Sequence, residues 1–549
     1  MSARILYSSG RIVFIQLIIL IGFLSLLGRL IYLQIFQDIF LDDQVFNRLE
    51  SQYSLLAPRG KILDRNGNVL ALDIKGYSVG VDLEKFRFEE ETIIFLSELL
   101  DKEPSSLSNM LYGKSSGYKE ISRNINFKTK EKLKDKKISG IYFRENLRRS
   151  YPERNITSHV VGLTDIDRKG IQGVELIFDN ELRGEEGSFE GIKGAKNTKL
   201  EGKRIEAVSG KNIILTIDIN IQSIAYHQLN EAIKENNAKA GSIVVIEPKT
   251  GDILGLVNYP SFDPSNRKNL IDMSKLRNRA TIDIFEPGSV LKPLAMSAIL
   301  ESDYLPKTSK IDTSPGWIEY EGFKTSDFKD YGALSLSQII SLSSNVGMVK
   351  LCQYQDIEHL TNYYKKFGIG RYPTSIMLPA REGFLPHSSQ FTLRDKVSSC
   401  YGYGMTLSAL QIAQAYSVFA NEGNFIELNL FKDHSFDEPL HEKVLQKETN
   451  DIVLDMLVET VNSSNGTASK ARLQEKIVAG KTGTAKESLE EETTYSATFA
   501  GFVPHDEPEY LAVVVLNGLS GEDYSGGRVS APVFSRLMQQ IFMLQDLKI

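Results

Sequence analysis

Three short groups of side chains in this 549-residue chain could together carry out acyl transfer to a serine. The first is Ser289-x-x-Lys292, within Phe285-Glu286-Pro287-Gly288-Ser289-Val290-Leu291-Lys292-Pro293. A serine hydroxyl is a weak nucleophile and needs a neighbouring base. Lysine can be that base only when neutral, so its pKa must fall through burial or a second cation. Lys481, in Lys481-Thr482-Gly483-Thr484, is the candidate for that cation. Ser343, in Ser343-Ser344-Asn345, can relay a proton to a leaving amine, and Asn345 can hold a peptide backbone. Gly483 would let a substrate approach its strand closely, in the manner of an added β-strand. Backbone N–H groups can stabilise an oxyanion, each worth ~3–4 kcal/mol.

Each pattern also occurs elsewhere. Ser116-Gly117-Tyr118-Lys119 and Ser326-Asp327-Phe328-Lys329 repeat the first, Ser463-Ser464-Asn465 the second and Lys249-Thr250-Gly251 the third. Order and context separate them. Lys249-Thr250-Gly251 follows a proline in a hairpin turn, upstream of Ser289, and Ser463-Ser464-Asn465 sits in a polar Asn/Ser/Gly stretch. Only Ser289, Ser343 and Lys481 come in sequence, each beside an apolar run that must pack.

Those runs name the supporting elements. A turn at Glu286-Pro287-Gly288 precedes a helix through 294–300, and a serine in its first turn shares a face with Lys292. Helical patterns cover 219–233, 336–351 and 407–420, and a strand leads into Lys481. A strand over 212–217 and a hairpin of 241–246 with 252–257 complete an α/β region with a largely antiparallel sheet.

The N-terminal end is different. Residues 12–27 are almost unbroken apolar, and the run resumes over 30–36, enough for a bilayer's roughly 20 residues. Arg29 lies near the distal end and can snorkel. Arg4 and Arg11 place the N-terminus in the cytoplasm. No small-x-small site follows, so an uncleaved single anchor is expected. Between about 40 and 215, short apolar runs alternate with charged ones, as in a spacer or docking domain. Asn66-Gly67 is a hairpin turn there, 128–137 a solvated lysine-rich helix face, and Gly162, Gly170 and Gly173 turn or strand-end residues.

Composition excludes several classes. At 42% hydrophobic and 24% charged the chain is globular, but too long for one core. A net charge of −6 does not suggest nucleic-acid binding. Cys352 and Cys400 have no partners at metal-ligand spacing. They are expected as two buried free thiols, with one disulfide as the alternative. Seven scattered histidines argue against a zinc enzyme. No cofactor and no metal are expected.

The ordered set resembles the penicilloyl-serine transferases, the penicillin-binding proteins and serine β-lactamases. More narrowly, nearly the whole chain is similar to a class B penicillin-binding protein. Leu27-Gly28-Arg29-Leu30-Ile31-Tyr32-Leu33-Gln34 is similar to the end of the family's anchor. Arg59-Gly60-x-Ile62-x-Asp64-Arg65-x-Gly67, Arg148-Arg149-x-Tyr151-Pro152 and Gly170-x-x-Gly173-x-Glu175 are similar to its pedestal motifs. Arg277-Asn278-Arg279, Ser343-Ser344-Asn345-Val346-Gly347, Tyr401-Gly402-Tyr403-Gly404 and Gly526-Gly527 with Ala531-Pro532-Val533-Phe534 resemble the division-specific branch.

The resemblance implies an α+β multidomain chain. It divides into a cytoplasmic tail (1–11), a transmembrane anchor (12–36), an elongated pedestal (37–215) and a transpeptidase domain (216–549) with an antiparallel sheet flanked by helices. Ser289 would attack the penultimate D-alanine of a stem peptide ending in D-Ala-D-Ala, with Lys292 as base. Ser343 and Lys481 would shuttle protons, and Asn345 would hold substrate. Ser289 and Thr484 would supply oxyanion N–H groups, and Thr482 and Thr484 would bind the carboxylate of substrate or of a β-lactam. Implied partners are the membrane, an FtsW-type glycan polymerase and other divisome proteins; the implied place is the septum at the bacterial inner membrane. The acidic 486–494 stretch after Ala485 is expected as a mobile loop. An elongation-specific transpeptidase, a D,D-carboxypeptidase or β-lactamase, and an idle β-lactam sensor are the competing readings.

Overall fold

The computed structural model describes residues 9–35, 50–112, 117–192, 202–266, 271–302, 304–373, 375–432, 441–489, 492–521 and 523–547. Arg4, Phe36 and Ser116, used in the readings above, lie outside them. The chain divides into two compact units, Met1–Pro58 with Gly184–Gly210, and Arg59–Arg183 with Lys211–Ile549.

In the first unit, α1 (Ser9–Ile35) carries Ile12–Tyr32, 21 residues of mean hydropathy 2.3 with none of its surface buried in protein. Length and composition suffice to cross a bilayer, and no other helix among the described residues does so. The same unit holds an antiparallel sheet of Glu50–Leu55, Gly187–Ile192 and Gly202–Ile205, with Gly187–Ile192 in the middle.

The second unit begins with the long strand Val69–Asp82, which pairs antiparallel with Ile62–Leu63, Tyr118–Ile125 and Ile141–Ser150. Gly67 makes the turn between the first two at φ +85°. The lysine-rich segment is the helix Phe127–Asp135, capped by the Asn126 side chain, with Leu133 alone buried. Gly162 has φ +79°, and a Cβ there would lie 1.8 Å from the Gln172 carbonyl oxygen, so the turn at that point requires glycine.

Residues from separate pedestal motifs meet in a buried ionic cluster. Glu175, fully buried, accepts from Arg59 Nε at 2.7 Å and from Arg149 Nε at 2.6 Å. Asp73 accepts from the Arg59 backbone N–H at 2.9 Å and pairs with Arg149 at 3.3 Å. Removing one member of such a cluster leaves uncompensated charge out of water. Glu175→Ala is therefore expected to destabilise this unit by ~3–5 kcal/mol, read as a lowered unfolding midpoint of the detergent-solubilised protein.

The rest of the unit is a five-stranded sheet: β1 (Ala240–Ile246), β2 (Ile253–Tyr259), β3 (Ala479–Leu489), β4 (Glu492–Val503) and β5 (Tyr510–Leu519). All pairs are antiparallel, in the order β2-β1-β5-β4-β3. Side chains alternate between its faces. Ile243, Val245, Val514 and Phe499 pack with α2 (Ile219–Asn236) and, near the C-terminus, a helix at Ala531–Asp546. Val244, Ile246, Val513 and Phe502 pack with α3 (Lys292–Glu301) and a second helix, Ala409–Ala420. Both faces are covered, so β1, β2 and β5 are apolar almost throughout, unlike strands with one solvated face.

Four expectations need correction. The helical pattern over 336–351 is two helices, Leu336–Ser341 and α4 (Asn345–Cys352), because Ser343 adopts φ +60° between them. The strand expected over 212–217 shrinks to Ile213–Ile214. The acidic stretch is paired at both ends, where a loop was expected: Lys486 pairs with Tyr495 and Glu487 with Thr494, extending the β3–β4 ladder, while 490–491 lie outside the described residues. Finally, Cys352 and Cys400 are not free thiols but a disulfide, their Cα atoms 6.5 Å apart. Cys352 ends α4 and Cys400 caps the helix Leu393–Ser399; the two helices pack together and bring both buried positions into bonding range.

Candidate active site

The turn that carries Ser289 is built backbone-first. Gly288 has φ +58°, and a Cβ on it would press within 2.8 Å of the Thr484 carbonyl oxygen. Gly288–Leu291 is a 3₁₀ turn running directly into α3, and the Lys292 N–H closes onto the Ser289 carbonyl. With three residues per turn, Ser289 and Lys292 stack one above the other. Ser289 is half-buried and Lys292 fully buried.

Neighbouring segments hold this turn. The Gly288 N–H donates to Gly402 O at 3.1 Å, and Phe285 and Leu407 exchange backbone bonds of 3.0 and 2.9 Å. The Gly404 N–H donates to Glu286 Oε1 at 2.9 Å, and the Tyr416 hydroxyl donates to Val290 O at 2.6 Å. Tyr401-Gly402-Tyr403-Gly404 is thus the floor under the turn. A Cβ on Gly402 would come within 1.9 Å of Gly288 O.

Ser343-Ser344-Asn345 forms the second wall. Left-handed backbone at a serine costs ~1–3 kcal/mol, and the surroundings hold it there. Ser344 caps α4, accepting from the Gly347 N–H at 2.9 Å. Asp327 accepts from the Asn345 and Val346 N–H groups at 2.5 and 3.0 Å and from the Ser344 hydroxyl at 2.5 Å. Sequence reasoning treated Ser326-Asp327-Phe328-Lys329 as an empty repeat of Ser-x-x-Lys and so missed Asp327. An acidic residue able to cap a helix was the available signal, but its helix begins 18 residues later. Asp327→Ala is expected to cost ~2 kcal/mol of local stability and to slow acylation by a β-lactam, measured by stopped-flow with a chromogenic cephalosporin.

The third wall is β3, the edge strand of the sheet. Gly483 meets the Ser289 turn itself: a Cβ there would lie 2.7 Å from Pro287 O and 3.0 Å from Val290 Cγ1. The close approach this glycine permits is therefore between β3 and the Ser289 turn, in addition to any approach by substrate. On the alternate positions, Thr482 Oγ1 donates to Thr467 Oγ1 at 3.2 Å, and Thr484 Oγ1 accepts from the Gly526 N–H at 3.1 Å. Thr467, just past the polar Ser463-Ser464-Asn465 stretch, carries no motif of its own. Lys249-Thr250-Gly251 is a hairpin turn, with Thr250 bonded to Glu247 at 3.0 Å and Gly251 at φ +76°.

The walls converge on one hydroxyl. Ser343 Oγ accepts from Lys292 Nζ at 3.2 Å and from Lys481 Nζ at 3.0 Å. Lys292 Nζ also donates to Ser343 O at 2.6 Å and Asn345 Oδ1 at 2.7 Å, while the Asn345 amide N–H reaches Ser326 O at 3.2 Å. Both lysines are fully buried. Burial, then the charge of Lys481, holds Lys292 well below the usual lysine range, with Asp327 opposing. Burial brings Lys481 down to about 7. A neutral amine has a lone pair, so the Ser343 hydroxyl can donate to either lysine and pass a proton between them. Among the described residues no group of three or more His, Cys, Asp or Glu side chains could hold a metal ion.

The family model of the penicillin-binding protein transpeptidase domain matches residues 241–539, which contain all of these groups. The chain belongs to the penicillin-binding proteins. A second model, the penicillin-binding protein dimerisation domain, matches residues 54–215, which include the ionic cluster. The probable peptidoglycan D,D-transpeptidase PenA of Neisseria gonorrhoeae is 32% identical, covering 97% of this chain and 92% of the relative. The peptidoglycan D,D-transpeptidase FtsI of Escherichia coli is 30% identical, covering 96% and 91%. The transpeptidase domain of Burkholderia pseudomallei penicillin-binding protein 3 superposes with a TM-score of 0.54 at 31% identity, over 60% of this chain and 96% of that one. A peptidoglycan synthetase from Bifidobacterium adolescentis shares the fold, with a TM-score of 0.70 at 24% identity over 91% and 97%. This penicillin-binding protein is a class B peptidoglycan D,D-transpeptidase of the serine type.

Proposed function

We propose that Ser289 forms the acyl-enzyme and that Lys292, Ser343 and Lys481 move its protons. The observation that carries this is the Ser343 hydroxyl, within 3.2 Å of both buried amines. Neutral Lys292 takes the Ser289 proton as Oγ attacks the carbonyl of the penultimate D-alanine. The amide bond to the terminal D-alanine breaks, and its amine receives a proton through Ser343. A stem-peptide amine then attacks the ester, closing the cross-link and returning the proton to Ser289. Asn345 fixes Lys292 through its 2.7 Å bond, so its substrate contact is a second duty. The N–H groups of Ser289 and Thr484 hold the oxyanion, and Thr482, Gly483 and Thr484 flank the terminal carboxylate of substrate or β-lactam.

The functional division we propose is a cytoplasmic tail (1–11), an anchor (12–36), a pedestal (37–215) and a transpeptidase domain (216–549). Arg4 and Arg11 support a cytoplasmic N-terminus and a periplasmic catalytic domain. Similarity to FtsI-named relatives supports a septal role beside an FtsW-type glycan polymerase and other divisome proteins. Incubation with a D-Ala stem-peptide thioester and a D-amino acid acceptor should give the aminolysis product. Hydrolysis alone would point instead to a carboxypeptidase. A fluorescent fusion should gather at midcell; side-wall fluorescence would favour the elongation branch.

A further inference from the structure

The Cys352–Cys400 disulfide has no part in the chemistry above, yet each of its halves ends an element that holds a reacting group. Cys352 is the last residue of α4, and Asn345, the acceptor from Lys292 Nζ at 2.7 Å, is the first. At 1.5 Å per residue the 8 residues of α4 set these two about 10 Å apart on one rigid rod. Cys400 caps α5 (Leu393–Ser399), and the chain after it is wound back onto that helix. The Gly402 N–H donates to Ser399 O at 3.2 Å, and the Tyr403 N–H to Ser398 O at 3.1 Å. Gly402 O in turn accepts from the Gly288 N–H at 3.1 Å, beside Ser289. One covalent bridge thus joins the wall that grips Lys292 to the floor that carries the Ser289 turn.

Polar contacts cross the same joint. Lys396 Nζ, on α5, donates to Gln353 O at 2.9 Å and Gln355 O at 3.2 Å, just past the end of α4. The Tyr401 and Thr325 hydroxyls lie 3.3 Å apart. Hydrogen bonds of this kind can lengthen and tilt, whereas a disulfide confines the two backbones it joins to a narrow range of separations. The far end of α4 is where the backbone is strained: Ser343 holds φ +60°, and Asp327 grips the Asn345 and Val346 N–H groups. A strained residue persists only where its surroundings fix it from several sides. Asp327 fixes the N-terminal end of α4, and the buried disulfide fixes the C-terminal end. We infer that Cys352 and Cys400 are a positioning pair for acylation: their bond holds α4 against the Gly402 floor and keeps Lys292 and Ser343 in reach of Ser289. The inference rests on the acyl-serine reading above. The carboxylate contacts proposed for Thr482 and Thr484 belong to β3, a different wall, so loss of the bond should slow the chemical step and leave binding alone.

The test uses the detergent-solubilised full-length protein, well below its unfolding midpoint, with a chromogenic cephalosporin over a range of concentrations. Replacing both cysteines, Cys352→Ala with Cys400→Ala, should lower the saturating acylation rate about tenfold, short of the ~10²-fold that a misplacement of about 1 Å can cost. The half-saturation concentration should not change. A parent saturating rate, with only the unfolding midpoint lowered, would overturn the inference, and so would a loss carried by half-saturation. The unmodified protein supplies a second arm, which stands even if the double variant folds poorly. Made in a host that lacks its disulfide-forming machinery, it should acylate at the slow rate. Oxidised glutathione, which takes two electrons and two protons from the thiol pair, should restore the parent rate in step with the loss of free thiols. A rate independent of thiol content would overturn the inference. A reduced chain that neither folds nor labels would overturn it too, by making the bond a condition of folding instead of positioning. Labelled penicillin separates the two levels. No labelling of the unmodified, oxidised protein would sink the acyl-serine reading, whereas normal labelling with an unchanged rate in the double variant would remove only the positioning role.

Discussion

Ser289→Ala should abolish covalent labelling by a fluorescent penicillin, a fall of roughly 10⁴-fold or more, with the unfolding midpoint unchanged. The hydroxyl is the only atom lost, at a half-buried position whose backbone bonds remain. Gly288, Val290 and Lys292 keep their contacts with Gly402, Tyr416 and Ser343, so the turn should stand without the nucleophile. Ser326→Ala is the matching control. Asn345 bonds to the Ser326 carbonyl and not to its hydroxyl, so labelling should proceed at the parent rate. Persistent labelling of Ser289→Ala would move the nucleophile elsewhere.

Lys481→Met should slow acylation by ~10²–10⁴-fold and move the acid limb of its pH profile to higher pH. The sign follows from the causes of the lysine shifts. On the proposed mechanism Lys292 acts as base in its neutral form, so the rate should fall as pH drops through its pKa. Burial is the larger reason that this pKa is low, and the charge of Lys481 is the second. Lys481, held near 7 by burial, carries its proton in the range below 7, where the push on Lys292 matters. Methionine keeps the length and removes the charge. Lys292 then holds its proton to higher pH, though less far than an exposed lysine would, since burial remains. The profile would be measured as the second-order acylation rate with a chromogenic β-lactam. An unshifted acid limb would mean that Lys481 serves Ser343 without tuning Lys292.

Asp327 and Gly483 show how side-chain motifs under-describe a site. The sequence states that a lysine, a serine and an asparagine exist in order, but helix capping across 18 residues has no linear signature. Asp327 looked like filler inside a repeated Ser-x-x-Lys. Gly483 was legible as a glycine that must let something close, yet what it lets close, the Pro287–Val290 turn, depends on where β3 docks. The break at Ser343 was hidden for a related reason. The apolar positions on either side keep helical period, and nothing local forces φ +60° on a serine. Packing of two separate helices, each with its own cap, does so.

Several features were fixed by local chemistry and so were readable in the chain itself. A 21-residue apolar run makes a membrane-length helix because each residue buries its own backbone bonds. Gly67 and Gly251 make turns because their positive φ costs glycine nothing. The order Ser289, Ser343, Lys481 named the chemistry because few residue types can activate a hydroxyl. Tertiary structure alone decided the rest. It joined Cys352 to Cys400 across two packed helices. It gathered Arg59, Asp73, Arg149 and Glu175 into one buried cluster. It buried Lys292 and Lys481 around one hydroxyl, and that burial, which no spacing encodes, lowers the pKa of both amines.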